Sequence, residues 1–271
     1  MENNNIEQDM HLKENLSRIK HKIMVMSGKG GVGKSTIAVN LAYGLLLQGK
    51  KVGLMDVDIH GPSIAKMTGI EGIGVTGNEN GRISPISKHE NLHVISIASF
   101  LKSVDDPIIW RGPMKITLIK QFMSDVEWPE LDYLIIDCPP GTGDEPLSVV
   151  QTAGNDTKSV IVTTQQDVAY LDVRKSIRFC KDVNMEILGL VENMVAVKCP
   201  HCGEYFNLFE GQNSAKAMND FGVKLLGKVD FDKKITEASD NGEAYIYHNS
   251  LMPAGKQLQA IVDNIINTVE A

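Results

Sequence analysis

A lysine and two hydroxyls behind a run of glycines supply the first chemistry of this chain, in Ser27-Gly28-Lys29-Gly30-Gly31-Val32-Gly33-Lys34-Ser35-Thr36. Glycines let the backbone turn tightly with its N–H groups aimed inward, so a polyphosphate can lie against them and against the positive end of a following helix. At this spacing Lys34 reaches the terminal phosphates of a nucleotide and the Ser35 hydroxyl binds Mg2+. The apolar run Ile23-Met24-Val25-Met26 suits a buried parallel strand before the loop, and Ile37 to Ala42 has helical character after it. That strand-helix frame is the one the loop requires. A second lysine within the loop, Lys29, is the unusual residue.

Carboxylates at strand ends extend the site. Lys50 to Met55 reads as a strand that runs into Asp56-Val57-Asp58-Ile59-His60-Gly61-Pro62-Ser63, at the sheet edge where α/β folds bind ligands. Beside a phosphate loop, Asp58 is read as the residue that positions or deprotonates an attacking water, and Asp56 as part of the magnesium shell. Tyr133 to Ile136 is a further strand ending at Asp137, which supports magnesium through water. In Cys138-Pro139-Pro140-Gly141-Thr142-Gly143-Asp144-Glu145, Gly141 and Gly143 free the loop to respond to a γ-phosphate. Cys138 is read as a small residue packed beside the nucleotide. Arg111, where Pro113 suits a first helical turn, either touches phosphate or a partner or shapes the start of that helix. His89 and His93 are read as structural or exposed and not as ligands.

Cys199-Pro200-His201-Cys202-Gly203 is the second chemical motif. Two thiolates at this spacing can clasp one metal centre, with Pro200 fixing the turn and a left-handed Gly203 directing N–H groups toward sulfur. Zinc or a [4Fe-4S] cluster takes four protein ligands as a rule, and the chain has no second C-x-x-C. A two-fold homodimer would supply both pairs at one axis. A disulfide-exchange centre, a structural zinc bridging two chains and plain surface thiols remain open as other readings.

These residues need a scaffold, and the alternation of apolar strands with helical segments from Lys22 onward predicts an α/β fold. It is a doubly wound, mostly parallel sheet of P-loop NTPase type with helices on both faces. Residues 1–20 read as a flexible polar leader with a short helix around Leu12 to Ile19. Residues 21–271 read as a single P-loop ATPase domain carrying the cysteine loop near 199–202. Further strands are expected at Leu92 to Ile97, Ser159 to Thr164, Ile187 to Val191 and Val223 to Val229, and residues 69–91 form an excursion on the sheet. Val168 to Val183 reads as a helix that buries Val173, Ile177 and Cys180 on one face. The terminal segment sets Leu258, Ile261, Val262, Ile265, Ile266 and Val269 on one helical face. Its other face bears Asp263, Asn264 and Glu270 where a membrane helix would be basic, so it is expected to dock on the sheet.

With 27 Lys and Arg against 34 Asp and Glu in 271 residues, the net charge is -7 and no long basic run exists. Nucleic acid is therefore a poor partner. No apolar stretch approaches the roughly 20 residues of a membrane span, and no signal peptide is read, so a cytosolic protein with reduced thiols is expected.

With Lys29 in its loop, the chain resembles the deviant Walker A ATPases that include MinD, ParA and the nitrogenase iron protein. Taken in order, the phosphate loop, Asp58, the segment 138–145, Val191-Glu192-Asn193-Met194 and Cys199-Pro200-His201-Cys202 closely resemble the Mrp/ApbC family of iron–sulfur cluster carrier ATPases. The resemblance runs from about Lys22 to the C-terminus. It implies ATP, Mg2+ and a [4Fe-4S] cluster, and a homodimer in which Lys29 crosses to the partner's nucleotide while Asn193 recognises adenine. It also implies slow ATP hydrolysis using Lys34, Lys29 and Asp58, and transfer of a cluster held by Cys199 and Cys202 to recipient apoproteins. Scaffold proteins are further expected partners, and neither nucleic acid nor membrane is expected. Cys138 departs from the small hydroxyl residue usual there, and the leader has no cysteine cluster. The alternative is a MinD/ParA-like positioning ATPase in which the cysteine pair is structural.

Overall fold

The computed structural model describes residues 2–77, 81–100, 112–211 and 213–271. The first half of the chain forms α1 (Glu2–Ser17), β1 (Ile19–Met26), α2 (Lys34–Leu47), β2 (Val52–Asp56), α3 (Ile64–Met67), β3 (Ile86–His89), β4 (Leu92–Ser96), α4 (Gly112–Asp125) and β5 (Leu131–Asp137). The second half forms α5 (Asp144–Ala153), β6 (Lys158–Thr163), α6 (Asp167–Asp182), β7 (Glu186–Lys198), β8 (Tyr205–Asn207), α7 (Asn213–Phe221), β9 (Leu225–Phe231), α8 (Lys233–Asp240), α9 (Tyr245–Asn249) and α10 (Pro253–Val269).

Among the described residues nine strands make one sheet in the order β3-β4-β2-β5-β1-β6-β7-β8, with β9 also paired to β7. The β3–β4 and β7–β8 pairs are antiparallel and the others parallel. β1 explains its own central place. Its apolar residues alternate between two cores, Ile23 and Val25 facing one and Met24 and Met26 the other, as a strand covered on both faces must. The first core takes side chains of α2, α9 and α10, and the second those of α4, α5 and α6. From β1 the chain moves to β2 on one side and later to β6 and β7 on the other. The crevice beyond the C-terminal end of β1 is thus a topological switch point, the usual ligand position in such sheets.

The sequence expectation fails at the N-terminus. Residues 2–17 are helical, and the proposed domain start at residue 21 falls inside β1, where Ile19 already pairs with Leu131. Asn15 is buried, and its Nδ2 donates to the carbonyls of Met123 at 3.4 Å, Ser124 at 2.9 Å and Val126 at 2.6 Å. It thereby satisfies carbonyls left over at the end of α4. Its Oδ1 accepts from the buried Arg82. A helix docked mainly through Asn15, with Glu14 on Arg82 and Leu12 against the second core beside it, shows no sustained apolar stripe, which is why periodicity reads it as a leader.

Two other segments lengthen or fall away. β7 does not stop at Val191 but continues to Lys198, so it joins Asn193 directly to the cysteine loop. Arg111 and Asn78 to Asn80 lie outside the described residues. His89 stacks on Tyr247 with ring centroids 4.9 Å apart, a packing role. α10 buries Leu258, Ile261, Val262 and Ile265, and among the described residues no helix is long and apolar enough to cross a membrane.

Candidate functional site

β1 delivers the glycine-rich loop to the crevice and α2 starts at Lys34. Gly33, with φ 84°, takes the left-handed turn into that helix, and a Cβ there would collide with the amide of Asn193. Only glycine fits such a position. Asn193 is buried and its Nδ2 donates to Val32 O at 2.9 Å, so the end of β7 buttresses the loop from behind.

The charged groups converge at the mouth. Lys34 Nζ lies 2.6 Å from Asp137 Oδ1 and 3.6 Å from Asp58 Oδ2, and Ser35 Oγ donates to Asp137 Oδ2 at 2.5 Å. Asp58 Oδ1 accepts the backbone N–H groups of His60 at 3.2 Å and Gly61 at 3.3 Å, which leaves Oδ2 turned to the lysine. Asp56, read from sequence as a magnesium residue, is fully buried. Its Oδ1 accepts from Asp58 N at 3.0 Å, and its Oδ2 accepts from Ile64 N at 3.2 Å and Ser96 Oγ at 3.0 Å. Both oxygens are thus committed to holding the Asp58 loop. Backbone bonds tie the rim together, Val57 N to Asp137 O at 3.0 Å and Gly141 N to Ser27 O at 2.8 Å.

Three carboxylates crowd one buried ammonium. Burial and the neighbouring Asp137 push Asp56 up to about 8, and burial pushes Asp137 up as well. Burial alone would lower Lys34, but Asp137 first, then Asp58 and Asp56, hold it above its ordinary value. Such a cluster is short of positive charge, and its donors are all oxygens, the chemistry that a hard divalent ion satisfies. Among the described residues no three His, Cys, Asp or Glu side chains are placed to hold a metal ion by themselves.

Beside the loop, a pocket of about 300 Å³ is lined by Thr36, Asn193, Met194, Phe231 and Asp232 among others. Lys29 Nζ donates within its own chain to Gln166 Oε1 at 2.5 Å, at the start of α6. Gln166 had no signal in the sequence. Ser96 did: it ends β4 in register with Asp56, so the strand-end rule that singled out Asp56 and Asp137 extends to it.

The cysteines sit at the tip of a hairpin formed by β7 and β8, where Lys198 pairs with Tyr205. Gly203 has φ 77°. Cys199 N donates to Glu204 O at 2.8 Å and Gly203 N to Cys199 O at 3.0 Å. The Cys199 thiol is held below its ordinary pKa by the N–H of Cys202 first, then that of His201 and the Cys202 thiol. Cys199 is half-buried and Cys202 exposed. The turn runs into a strand rather than a helix, so the helix N-terminus that activates exchange cysteines has no counterpart here. By contrast, burial raises the Cys138 thiol well above its usual pKa, and Cys180 packs in the core as its helical spacing predicts.

Comparison with known proteins gives a consistent picture. The family described as ParA, NUBPL iron-transfer P-loop NTPase, matches residues 18–266. The iron-sulfur cluster carrier protein of Methanocaldococcus jannaschii is 45% identical over 264 residues, covering 97% of this chain and 90% of that protein. The cytosolic Fe-S cluster assembly factor NUBP1 homolog of Brugia malayi is 46% identical over 247 residues, 88% of this chain and 79% of its own. Among solved structures, a nucleotide-binding protein from Archaeoglobus fulgidus in complex with ADP superposes with a TM-score of 0.77 at 35% identity, covering 92% of this chain and 96% of that one. The cell division ATPase MinD of Pyrococcus furiosus, at 22% identity and a TM-score of 0.68 over 92% of this chain and 99% of its own, shares the fold.

Proposed function

Because the chain belongs to the NUBPL iron-transfer P-loop NTPase family, we propose that it is an ATP-hydrolysing iron–sulfur cluster carrier. In this reading it acts as a cytosolic homodimer that holds one [4Fe-4S] cluster as cargo and passes it to recipient apoproteins. The observation that carries the reading is the cysteine loop, where Cys199, its thiol held below the ordinary pKa by neighbouring N–H groups, and the exposed Cys202 make only half a ligand set. A second copy related by a two-fold axis supplies the other half.

The nucleotide chemistry follows from the mouth of the crevice. Lys34 neutralises charge developing on the terminal phosphate oxygens. Asp58, with Oδ1 pinned by two N–H groups, uses Oδ2 to orient a water for in-line attack and to take its proton. Asp56 acts from behind by fixing that loop, a positioning role. Ser35 and Asp137 would hold Mg2+, which when bound neutralises phosphate charge. Asn193, Thr36 and the pocket between them suit the base. Lys29 leaves Gln166 and reaches the partner's nucleotide when two copies close. Turnover is slow in this scheme because the site is complete only in the dimer.

Anaerobic reconstitution followed by iron, sulfide and zinc analysis tests the reading. About four irons and four sulfides per dimer, absent in Cys199→Ser, are expected. Zinc in their place, or no metal, would overturn it and leave a nucleotide-switched positioning module.

A further inference from the structure

Two loops flank the phosphate site, one following β2 and one following β5. They meet through side chains that no catalytic role above uses. His60 Nε2 lies 3.2 Å from Glu145 Oε1. His60 stands two residues after Asp58, and its N–H is one of the two that hold Asp58 Oδ1. Glu145 lies in the first turn of α5, which follows the loop from Asp137. That loop is tied to the phosphate loop by Gly141 N and Ser27 O, 2.8 Å apart.

A closed circuit therefore surrounds the place of the terminal phosphate. It runs from Ser27 through Gly141 and α5 to Glu145, across to His60, and by the Asp58 turn to Lys34 and Asp137. A change in the loop after β5, the part expected to sense a γ-phosphate, has a side-chain route to the Asp58 turn beside the Asp137–Lys34–Asp58 bridge. It passes through the imidazole.

We infer that His60 and Glu145 form a tether between the two loops and that His60 is a positioning residue for Asp58. The tether keeps the backbone turn at His60 and Gly61 closed on Asp58 Oδ1, which aims Oδ2 at the attacking water. Its kinetic consequence rests on the ATPase reading; the tether itself does not. The contact is at the surface, His60 being 57% exposed, and exposed pairs contribute little. The effect is accordingly one of tuning, not of all-or-none catalysis.

The test combines hydrogen–deuterium exchange of the nucleotide-free full chain with ATP turnover, on wild type, Glu145→Ala, Glu145→Gln, His60→Ala and the alanine pair. In Glu145→Ala the amides of His60 and Gly61 exchange several-fold faster while those of α10 do not change, although the substitution lies on the other loop. Glu145→Gln, which keeps an acceptor oxygen, stays near wild type. Turnover falls about fivefold in either alanine variant with KM for ATP unchanged, and no further in the double variant. Unchanged exchange at His60 and Gly61 overturns the tether whatever the turnover. Altered exchange with unchanged kcat, a rise in KM, or losses that multiply in the double variant overturns the positioning role. A wild-type chain that hydrolyses no ATP overturns the ATPase reading, and the exchange result then decides the tether alone.

Discussion

At one point along β7, Asn193 is buried and donates to the phosphate loop at Val32 O, 2.9 Å away. Six residues later the same strand has passed Lys198 and delivered Cys199 and Cys202 to the surface. At about 3.3 Å per residue the two points are roughly 20 Å apart. In the first region Lys34, Asp56, Asp58 and Asp137 each find partners within the chain. The second ends with two sulfurs where a metal centre takes four. The crevice is thus prebuilt by contacts within the chain, whereas two sulfurs alone need two further ligands to enclose a metal centre. The two regions are joined by β7, whose pairing with β9 shifts register between Asn193 and Val197.

The sharpest way to break this comparison is to disable one region and read the other. Lys34→Ala removes the cation that pairs with both Asp58 and Asp137. Turnover is expected to fall at least about 100-fold, measured in single-turnover assays with radiolabelled ATP. Iron loading on reconstitution should be unchanged. If Lys34→Ala retained full turnover, the whole assignment of the crevice would be wrong.

Cys199→Ser does the converse. Iron on the reconstituted dimer drops to background, while nucleotide-dependent turnover stays within about twofold of wild type, since among the described residues no hydrogen bond or ion pair joins Lys34, Asp58 or Asp137 to the cysteine hairpin. A large fall in turnover would show that the two regions are one cooperative unit, and that the cluster itself assembles the ATPase.

A third substitution tests the strand that joins them. Glu192, next to Asn193, is buried; it accepts from Ser214 N at 3.1 Å and Gln165 Nε2 at 3.1 Å, with Lys228 Nζ at 2.9 Å. Burial would raise its pKa, yet the bonds from Ser214, Lys228 and Gln165 outweigh it and hold it below its ordinary value of 4.5. A depressed carboxylate contributes stability that is present above the unfolded pKa and lost as pH falls through the folded one. Glu192→Gln turns an NH2 toward donors, so it should cost about 2 kcal/mol at pH 7. That difference should shrink below about pH 4.5 in denaturant titrations, because wild type then loses the same charge. An equal loss at both pH values would mean that shape, not charge, holds β7.

How legible each region was follows from the kind of signal it carries. The convergence of the phosphate loop, Asp58 and Asp137 was readable because all three follow strand ends, and Ile23 to Met26 was readable as a buried strand because those four residues are all apolar. Gly203 was readable from the left-handed turn that a cysteine knuckle needs. The docking of α1 was not, since Asn15 makes it with one amide to three carbonyls. Nor was the engagement of both Asp56 oxygens by Ser96 and two backbone groups. Strand register sets that arrangement, and register is a property of the assembled sheet. The length of β7 was missed for a related reason: Met194, at φ 57°, interrupts the strand pattern while pairing with β9 resumes at Val197.

The smallest expected effect concerns Cys138, the buried thiol that follows Asp137 at the end of β5. Its burial is complete, and that burial raises its pKa well above the ordinary thiol value and favours the neutral S–H. It packs with Ile136 and Met24 in the second core, as a small hydrophobe would. Cys138→Ala deletes one sulfur atom from that packing and should cost about 1 kcal/mol in denaturant unfolding. Iron per dimer should not change, which sets this buried cysteine against the exposed pair at the other end of the comparison. Iron lost in Cys138→Ala but kept in Cys199→Ser would reverse the assignment and move the metal chemistry into the crevice.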